Sequence, residues 1–400
     1  MINDATRQFV CLHREEDVRR LALRGCKNEA VDMTLALEQI AGWQTARRKL
    51  PSWAAVDGVV FPPHLALEQC SSEATARYKA ALAARLVGGR GSRMMDLTGG
   101  FGVDFSFLSP CFDEAVYVER QERLCQVAQH NFSVLGIKAR VVCADGAEEL
   151  DRQPDATLIF LDPARRDAHG GRTYGIGDCT PDVVQLLPRL LKKAQWIIIK
   201  LSPMLDWRKA MADLGQDHVQ EVHIVSAGGE CKELLLVLSS SAVEASLRLF
   251  CVNDDEVFEV SGDAAEPVAV PTMAPVVPAP GLFLYEPNAS IMKAGCFAAL
   301  ERRLGVMQAA HDSHLFLARE PLSWFPGRGF RVSACSTMNK KELRLLLQGV
   351  KKANVSVRNF PMGAEELRRR LKLSEGGSNY LFATTLASGE HVLMLCEKLS

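Results

Sequence analysis

The sequence predicts an α/β protein, with a seven-stranded, mostly parallel sheet between an N-terminal helical unit and C-terminal α+β modules. Strand-like and helix-like segments alternate from Arg93 onward, which is typical of a parallel sheet covered by helices on both faces. Helical apolar spacing fills residues 17–50. Residues 321–400 carry 13 Lys and Arg against 6 Asp and Glu, a net charge of +7 in a chain whose total is −1. Four parts are therefore expected: a helical unit (1–75), the sheet domain (76–243), a hairpin with a proline-rich linker and a further folded segment (244–322), and a basic α+β domain (323–400).

Composition places the chain among ordinary globular proteins. It has 400 residues, 48% of them hydrophobic, and no stretch approaches the ~20 uninterrupted apolar residues that a membrane span needs. The first residues lack a basic region followed by an apolar one. The 12 cysteines contain no Cys-x-x-Cys pair, so neither a zinc site nor a disulfide framework is indicated. We expect a cytoplasmic protein with no membrane span and no metal.

The elements of the sheet domain follow in order. Ser71 or Ser72 can cap a helix that runs toward Leu86. Thr180 is expected to cap the helix after the fourth strand, with Pro181 as the first residue of that helix. The strands are expected at Met94–Leu97, Ala115–Glu119, Ala139–Asp145, Thr157–Asp162 and Trp196–Leu201, followed by a closing antiparallel pair, Val219–Val225 with Glu233–Leu238.

Beyond the sheet domain, the pattern becomes antiparallel and then proline-rich. Arg248–Val252 and Glu256–Val260 flank Asn-Asp-Asp and predict a hairpin. Residues 264–281 are rich in Pro, Ala and Val and predict an extended linker. A strand-like segment, Leu282–Asn288, and a helix over Ser290–Leu304 come next.

A glycine-rich turn follows the first strand. Asp96 ends that strand, and Gly99, Gly100 and Gly102 shape the turn into the next helix. Glycines let the backbone approach a ligand closely and expose N–H groups at a helix N-terminus. The turn, with Glu119 at the end of the second strand, fits either a dinucleotide or another nucleoside cofactor, because both carry ribose hydroxyls for a carboxylate to bind.

Two further strands also end in carboxylates. Asp145 ends the third strand and Asp162-Pro163-Ala164-Arg165 follows the fourth. Each acid taken singly is explained as well by solvation or helix capping. Four consecutive strands that all end in an acidic residue favour a shared cofactor site at the carboxyl edge of the sheet.

These residues resemble a known enzyme class. Asp96-Leu-Thr-Gly-Gly-Phe-Gly102, Glu119, Asp145 and Asp162-Pro-Ala-Arg165 resemble the class I S-adenosylmethionine-dependent methyltransferases, whose sheet is Rossmann-like. The whole chain is similar to a bacterial methyltransferase family that carries ferredoxin-like and THUMP-like modules at its C-terminus. The resemblance rests on Gln69-Cys-Ser-Ser72 with Thr75 and Tyr78-Lys79, Lys200-Leu-Ser-Pro-Met-Leu-Asp206, Tyr285-Glu-Pro-Asn-Ala-Ser-Ile-Met-Lys293 and Gly376-Gly-Ser-Asn-Tyr-Leu-Phe-Ala383.

The resemblance implies S-adenosylmethionine as the cofactor. Asp96 and the glycines would then hold its methionine part, Glu119 its ribose and Asp145 its adenine. Further cofactor contacts are expected from residues beside these motifs and from the segment before the sheet: Thr98, Asp104, Arg120, Gly146, Gln69, Ser71 and Ser72.

The turn after the fourth strand would lie beside the methyl group. It is similar to the Asp/Asn-Pro-Pro-aromatic turn of amino-group methyltransferases, but Ala164 and Arg165 replace the second proline and the aromatic residue. It also resembles the turn of RNA uracil-C5 methyltransferases. Those enzymes need a nucleophilic cysteine after the fifth strand, where this chain reads Lys200-Leu-Ser-Pro203, so methylation of carbon is disfavoured.

Methyl transfer from a cationic sulfur needs positioning and the removal of one proton from a protonated nucleophile. Asp162 is the expected base, and Pro163, Arg165 and Lys200 are the other expected catalytic residues. Lys200 follows an apolar strand, so it faces the site or extends to solvent along the sheet rim. The substrate phosphates are expected on Arg165, Arg166 and Arg172, for which surface ion pairs are the alternative.

The basic C-terminal part is a candidate polyanion contact. Lys340, Lys341, Lys351, Lys352, Arg368 and Arg369 lie there with few acids among them, although a solvated charged face explains the charge alone equally well. The THUMP-like resemblance favours structured RNA, because THUMP-containing enzymes mostly act on tRNA.

The predicted function is therefore methyl transfer to a base nitrogen of RNA, with tRNA as the first candidate. Methylation of DNA or of a small molecule is the alternative within the enzyme class, and it predicts that residues 321–400 are dispensable. An RNA-binding module that keeps the cofactor pocket without turnover is the alternative from another class. A nicotinamide dehydrogenase is a more distant alternative.

Overall fold

The computed structural model describes residues 2–88, 91–165, 175–241, 246–262, 277–310 and 312–399. The chain divides into two compact units. The first unit comprises Met1–Glu221 and Lys232–Ala245, and the second comprises Val222–Cys231 and Ser246–Ser400. The predicted linker lies for the most part outside the described residues, since 263–276 are not among them.

Six helices open the first unit, and the second and third lie within residues 17–50, where the apolar spacing predicts helix. Asn3, Asp17, Asp32 and Ser72 cap four of them by accepting a backbone N–H through their side chains. The first helix has no counterpart in the sequence prediction. The six are α1 (Asp4–His13), α2 (Val18–Arg24), α3 (Met33–Lys49), α4 (Pro51–Ala54), α5 (His64–Gln69) and α6 (Glu73–Val87).

The sheet of the first unit has the predicted parallel centre. Its order is β9-β7-β4-β1-β2-β3, with β9 antiparallel to β7 and the other neighbours parallel. The chain therefore reverses direction across the sheet between β1 and β4, the position at which open α/β sheets bind ligands. The strands are β1 (Arg93–Asp96), β2 (Glu114–Glu119), β3 (Arg140–Cys143), β4 (Ala156–Leu161), β7 (Ala194–Leu201) and β9 (Glu230–Ser239); β8 (Val219–Ala227) belongs mostly to the second unit.

Helices connect these strands: α7 (Val103–Leu108), α8 (Glu122–Val134), α9 (Gly146–Arg152), α10 (Val183–Lys193) and α11 (Trp207–Leu214). The predicted cap of α10 was wrong. Asp182, not Thr180, accepts from the N–H of Gln185, and Thr180 belongs to a short strand, β6 (Cys179–Thr180), that pairs with β5 (Ala164–Arg165). The helix begins at Val183, so Pro181, which was expected as its first residue, lies before the cap.

In the second unit, the predicted hairpin is β10 (Arg248–Asn253) with β11 (Glu256–Ser261), and β10 lies next to β8. The single helix expected over Ser290–Leu304 is two helices, α12 (Ala289–Ala294) and α13 (Phe297–Leu304), because Gly295 takes a left-handed conformation and ends the first of them.

A second sheet of seven strands, in the order β13-β14-β12-β15-β18-β17-β16, completes the second unit. Apolar clusters around Phe330, Phe382 and Met394 and around Leu367, Leu381 and Leu393 pack against it. Its elements are β12 (Phe283–Pro287), β13 (Met307–Gln308), β14 (Phe316–Ala318), β15 (Gly327–Thr337), α14 (Lys340–Leu346), β16 (Asn354–Arg358), α15 (Ala364–Arg370), β17 (Asn379–Thr385) and β18 (His391–Lys398).

Among the described residues, none of the helices combines the length and the apolar character that crossing a bilayer requires.

Candidate active site

A cavity of about 410 Å³ opens at the carboxyl edge of the first unit's sheet. It collects the predicted cofactor residues Gln69, Ser71, Asp96, Thr98, Gly99, Gly100, Gly102, Asp104, Glu119, Arg120, Asp145, Gly146 and Asp162, together with Lys200. These residues come from six stretches of sequence, and the strand order brings the strand ends among them to one edge. The size is within the range of small-molecule sites.

The glycine turn forms one wall of the cavity. Gly100 and Gly102 have φ of +55° and +81°, which favour glycine. At Gly99 the constraint is space, because a Cβ there would lie 2.2 Å from the ring of Tyr117. The backbone of the turn is thus held close to β2 and α7, and only glycines satisfy both its conformation and its packing.

Glu119 is held rigidly at the end of β2. Its Oε2 accepts from the N–H of Gly100 at 2.9 Å and its Oε1 accepts from the N–H of Gln121 at 2.9 Å, and the residue is buried. A carboxylate has about four acceptor positions, so each oxygen keeps capacity for a further hydroxyl. The arrangement suits a pair of neighbouring ribose hydroxyls.

Asp96 ties β1 to β4 through Thr98. Its Oδ1 accepts from the N–H of Thr98 at 2.9 Å, and the Thr98 hydroxyl accepts from the N–H of Asp162 at 2.6 Å. Burial raises the pKa of Asp96 to about 8, and nearby carboxylates add to the shift. A cation placed next to Asp96 would favour its ionised form.

Asp145 is exposed and caps α9. Its Oδ1 accepts from the N–H groups of Ala147 at 2.9 Å and Glu148 at 3.3 Å, which is the capping role that the sequence left open. The next residue, Gly146, is needed for packing: a Cβ there would lie 2.1 Å from the carbonyl oxygen of Leu97. The two strand ends therefore meet closely on this side of the cavity.

The Asp-Pro-Ala-Arg turn is partly a strand. Ala164 pairs with Thr180 and Arg165 pairs with Cys179 in a two-stranded ribbon, and Pro163 is buried. This ribbon places Thr180 and Pro181 on the cavity wall. The side chain of Arg165 and all of Arg166 and Arg172 lie outside what the structure describes.

Lys200 faces the site rather than the sheet rim. Its Nζ lies 2.6 Å from Asp162 Oδ2 and 3.4 Å from Asp104 Oδ2, and its side chain is 12% exposed. Burial disfavours the charged form, but Asp162, Asp104 and Glu233 outweigh it and hold the pKa of Lys200 well above its ordinary value. The side chain is therefore an ammonium donor beside the candidate base.

Two site-connected residues were not predicted. Lys79 is fully buried, with its Nζ 2.5 Å from Glu233 Oε1 and 3.1 Å from Asp104 Oδ1. Burial alone would raise the pKa of Asp104, but Lys79 and Lys200 hold it below its ordinary value. Burial raises the pKa of Glu233 against the effect of Lys79. A lysine on the buried face of α6 was the available signal, since lysine is rarely buried without a partner.

Of the three residues before the sheet that were expected to contact the cofactor, two line the cavity and one does not. Ser71 lines the cavity and donates its hydroxyl to Asp104 Oδ2 at 2.8 Å. Gln69 lines the cavity and is exposed. Ser72 caps α6, accepting from the N–H of Thr75 at 3.3 Å, and it is not among the described residues that line the cavity.

The predicted basic residues of the C-terminal part lie on the surface of the second unit. Lys340 and Lys341 begin α14, Lys351 and Lys352 precede β16, and all four are exposed. Arg369 is also exposed on α15, whereas its neighbour Arg368 is half-buried and pairs with Glu375 at 2.6 Å. Five of the six are therefore accessible to a polyanion.

Two segments of the chain match known domain families. Residues 283–326 match a family described as a ferredoxin-like domain, and residues 327–398 match one described as THUMP domain-like. No curated protein matches the chain.

Solved structures resemble the chain as well. A protein from Porphyromonas gingivalis W83, provisionally named a methyltransferase, is 31% identical over 100% of both chains, with a TM-score of 0.86. A rRNA methylase from Streptococcus thermophilus is 16% identical over 40% of this chain and 94% of its own, with a TM-score of 0.31. A provisionally named class I S-adenosylmethionine-dependent methyltransferase from Listeria monocytogenes is 10% identical over 62% of this chain and 93% of its own, with a TM-score of 0.40. The similarity to the Porphyromonas gingivalis protein extends over the full length of both chains.

Proposed function

Since the chain belongs to the bacterial family of class I S-adenosylmethionine-dependent methyltransferases with a C-terminal THUMP-like domain, we propose that it methylates a base nitrogen of structured RNA. We take tRNA as the first candidate substrate. The observation that carries the proposal is the position of Asp162: it lies in the same cavity as the glycine turn and Glu119, with the Lys200 ammonium 2.6 Å from one of its oxygens.

The cavity fits the cofactor of the family. Glu119 keeps free acceptor positions for the two ribose hydroxyls, and the glycine turn, packed against Tyr117, lines the cavity with backbone. The buried carboxyl of Asp96 is suited to the cationic methionine part, and Asp145 and Gly146 border the adenine end. S-adenosylmethionine supplies a methyl group on a positively charged sulfur, which is a strong electrophile.

The protein then has two tasks at the nucleophile. It must align the base nitrogen, and it must accept a proton from an N–H group. Asp162 Oδ2 already accepts from Lys200, so its other oxygen is the acceptor that we assign to the substrate N–H. Lys200 holds the carboxylate in one orientation and can donate to an acceptor atom next to the target nitrogen on the base.

The second unit supports an RNA substrate. Residues 327–398 match the THUMP-like family. Within them, the exposed Lys340 and Lys341 begin α14, and the exposed Lys351 and Lys352 lie just before β16. Phosphate contacts by such residues give an affinity that falls with salt. These observations favour a polyanionic substrate over a small molecule.

The test is incubation of the full chain with methyl-labelled S-adenosylmethionine and RNA from a strain that lacks the gene, followed by size separation. We expect label in the tRNA fraction and none with duplex DNA. Label in another RNA would support RNA methylation but reject tRNA as the substrate. Cofactor binding without label in any nucleic acid would leave a small-molecule substrate or a non-catalytic module in place of our proposal.

A further inference from the structure

Five charged side chains of alternating sign run from the core of the first unit to the cavity. Glu233 contacts Lys79 at 2.5 Å, Lys79 contacts Asp104 at 3.1 Å, Asp104 contacts Lys200 at 3.4 Å, and Lys200 contacts Asp162 at 2.6 Å. The exposed fraction of the side chains rises along the row, from 0% at Lys79 to 42% at Asp162.

The row is assembled from separate elements. Lys79 lies on α6, Glu233 on β9, Asp104 on α7 and Lys200 on β7, and Asp162 follows β4. Burying such charges is costly, and apolar side chains of similar size would often stabilise a fold equally well. A fully buried lysine that leads to a candidate catalytic carboxylate therefore calls for an explanation beyond packing.

Asp104 is the point where the two lysines compete. Its Oδ1 faces Lys79, whereas its Oδ2 accepts from Ser71 at 2.8 Å and lies 3.4 Å from Lys200. Because Lys79 and Ser71 already contact the two oxygens of Asp104, the interaction of Lys200 with Asp104 is weaker. The Lys200 ammonium accordingly lies closer to Asp162 than to Asp104.

We propose that Lys79 and Glu233 are positioning residues: they hold Asp104 so that Lys200 stays on Asp162 and orients that carboxylate toward the substrate. Neither residue contacts the reacting atoms in this arrangement; both act through Lys200. The inference rests on the proposed function, since it assigns the row to the methyl-transfer step.

A purely structural role is the alternative, and the chain contains a matched pair for comparing the two. Arg85 also lies on α6 and forms an ion pair with the buried Glu221 on β8, outside the cavity. Replacing both members of either pair removes one ion pair that includes a buried carboxylate. Only the Lys79 pair is expected to change catalysis.

The experiment combines K79M/E233Q with K200M in a double-mutant cycle, and R85M/E221Q is the control. Single-turnover methylation is measured beside cofactor affinity and the RNA concentration dependence. We expect K79M/E233Q to slow the step about 10- to 100-fold, as for loss of a charged hydrogen bond, with both affinities within about threefold. In the K200M background the same change should cause no further loss. R85M/E221Q should keep the rate, whatever its effect on thermal stability.

An equal, multiplicative loss in the K200M background, or no loss in the wild-type background, would overturn the proposal. S71A is the milder variant if K79M/E233Q does not fold, because it keeps every charge of the row. It removes one hydroxyl, which donates to Asp104 Oδ2 at 2.8 Å and accepts from Lys79 Nζ at 3.2 Å. It should give a smaller rate loss that also disappears in the K200M background.

If the wild-type protein methylates no RNA, the proposed function fails, and crystal structures of the wild type and the variant then decide the inference. We expect Lys200 Nζ in K79M/E233Q to move from Asp162 onto Asp104. Unchanged distances of 2.6 Å and 3.4 Å would refute the positioning role.

Discussion

The Lys200 ammonium lies 2.6 Å from the carboxylate of Asp162, at the carboxyl edge of the sheet and inside the cavity that collects the cofactor residues. Lys200 is the penultimate residue of the apolar strand β7, and Asp162 directly follows the neighbouring parallel strand β4. This pair gives the turn after β4 a fixed acceptor, although the turn lacks the second proline and the aromatic residue of amino-group methyltransferases. The predictions below follow from this pair and from the cavity around it.

Asp162→Asn should slow methyl transfer about 10²- to 10⁴-fold, the usual contribution of a positioned base, with cofactor affinity retained. The amide keeps the shape but cannot take the proton. Asp155→Asn is the control, because Asp155 is exposed and precedes the same strand at the opposite edge of the sheet. Single-turnover kinetics with calorimetry measures both quantities, and retained turnover in Asp162→Asn would exclude Asp162 as the base.

Glu119→Ala should weaken binding of S-adenosylhomocysteine about 10- to 100-fold, because two hydroxyl contacts to a charged acceptor are lost. Glu122→Ala, an exposed acid in the first turn of α8, should leave the affinity unchanged. Calorimetry on both variants provides the measurement. Equal affinities in the two would remove Glu119 from the ribose site.

Cofactor affinity should depend on pH through Asp96. Burial raises the pKa of its carboxyl to about 8, so below that pH the empty protein carries a proton there that a bound cation displaces. Affinity should therefore rise as the pH increases toward 8 and level off above it. Asp96→Asn should remove this part of the pH dependence, and identical profiles for the two proteins would contradict the assignment of Asp96 to the cationic part of the cofactor.

Gly146→Ala should distort the cavity. The added Cβ would lie 2.1 Å from a backbone oxygen of Leu97, so a strand end must move, at a cost of about 1–3 kcal/mol in unfolding free energy. Thermal unfolding and cofactor binding should both decline. Gly177→Ala is the control, since nothing lies within 4 Å of its added Cβ. Loss of stability in both variants alike would point to a general effect of alanine rather than to this contact.

Replacing Lys340 and Lys341 by Gln should weaken RNA binding and make it less dependent on salt. In a plot of the logarithm of the binding constant against the logarithm of the salt concentration, the slope should become shallower by about 0.7 to 0.9 for each lost phosphate contact. Filter binding over a range of salt concentrations measures both. The same change at Arg19 and Arg20, an exposed basic pair on α2, should have a smaller effect. An unchanged slope in the lysine variant would indicate that these lysines form a solvated face.

Much of the site could be predicted because carboxyl ends of parallel strands must meet at one edge. That rule alone was enough to predict a shared site for four acidic residues, and all four line the cavity: Asp96, Glu119, Asp145 and Asp162. Similar local rules placed the helix capped by Ser72 and the hairpin of β10 and β11.

The rest depended on contacts between distant segments. Lys79 and Glu233 are 154 residues apart and share no motif, so only their positions among buried apolar neighbours signalled a pair. The cap predicted at Thr180 was wrong because the helix begins later, at Val183, where the Asp182 carboxylate accepts from the N–H of Gln185. The break at Gly295 was open to prediction, since glycine commonly ends a helix in the left-handed conformation that Gly295 takes here.

The central claim is that the chain methylates an RNA base through Asp162. Its most direct test is nucleoside mass spectrometry of tRNA from a strain that lacks the gene and carries either the wild-type gene or Asp162→Asn. We predict one methylated nucleoside that is absent without the gene, returns with the wild type and fails to return with the variant. Identical nucleoside profiles in all three strains would contradict the assignment of tRNA as substrate, and restoration by the variant would contradict the role of Asp162.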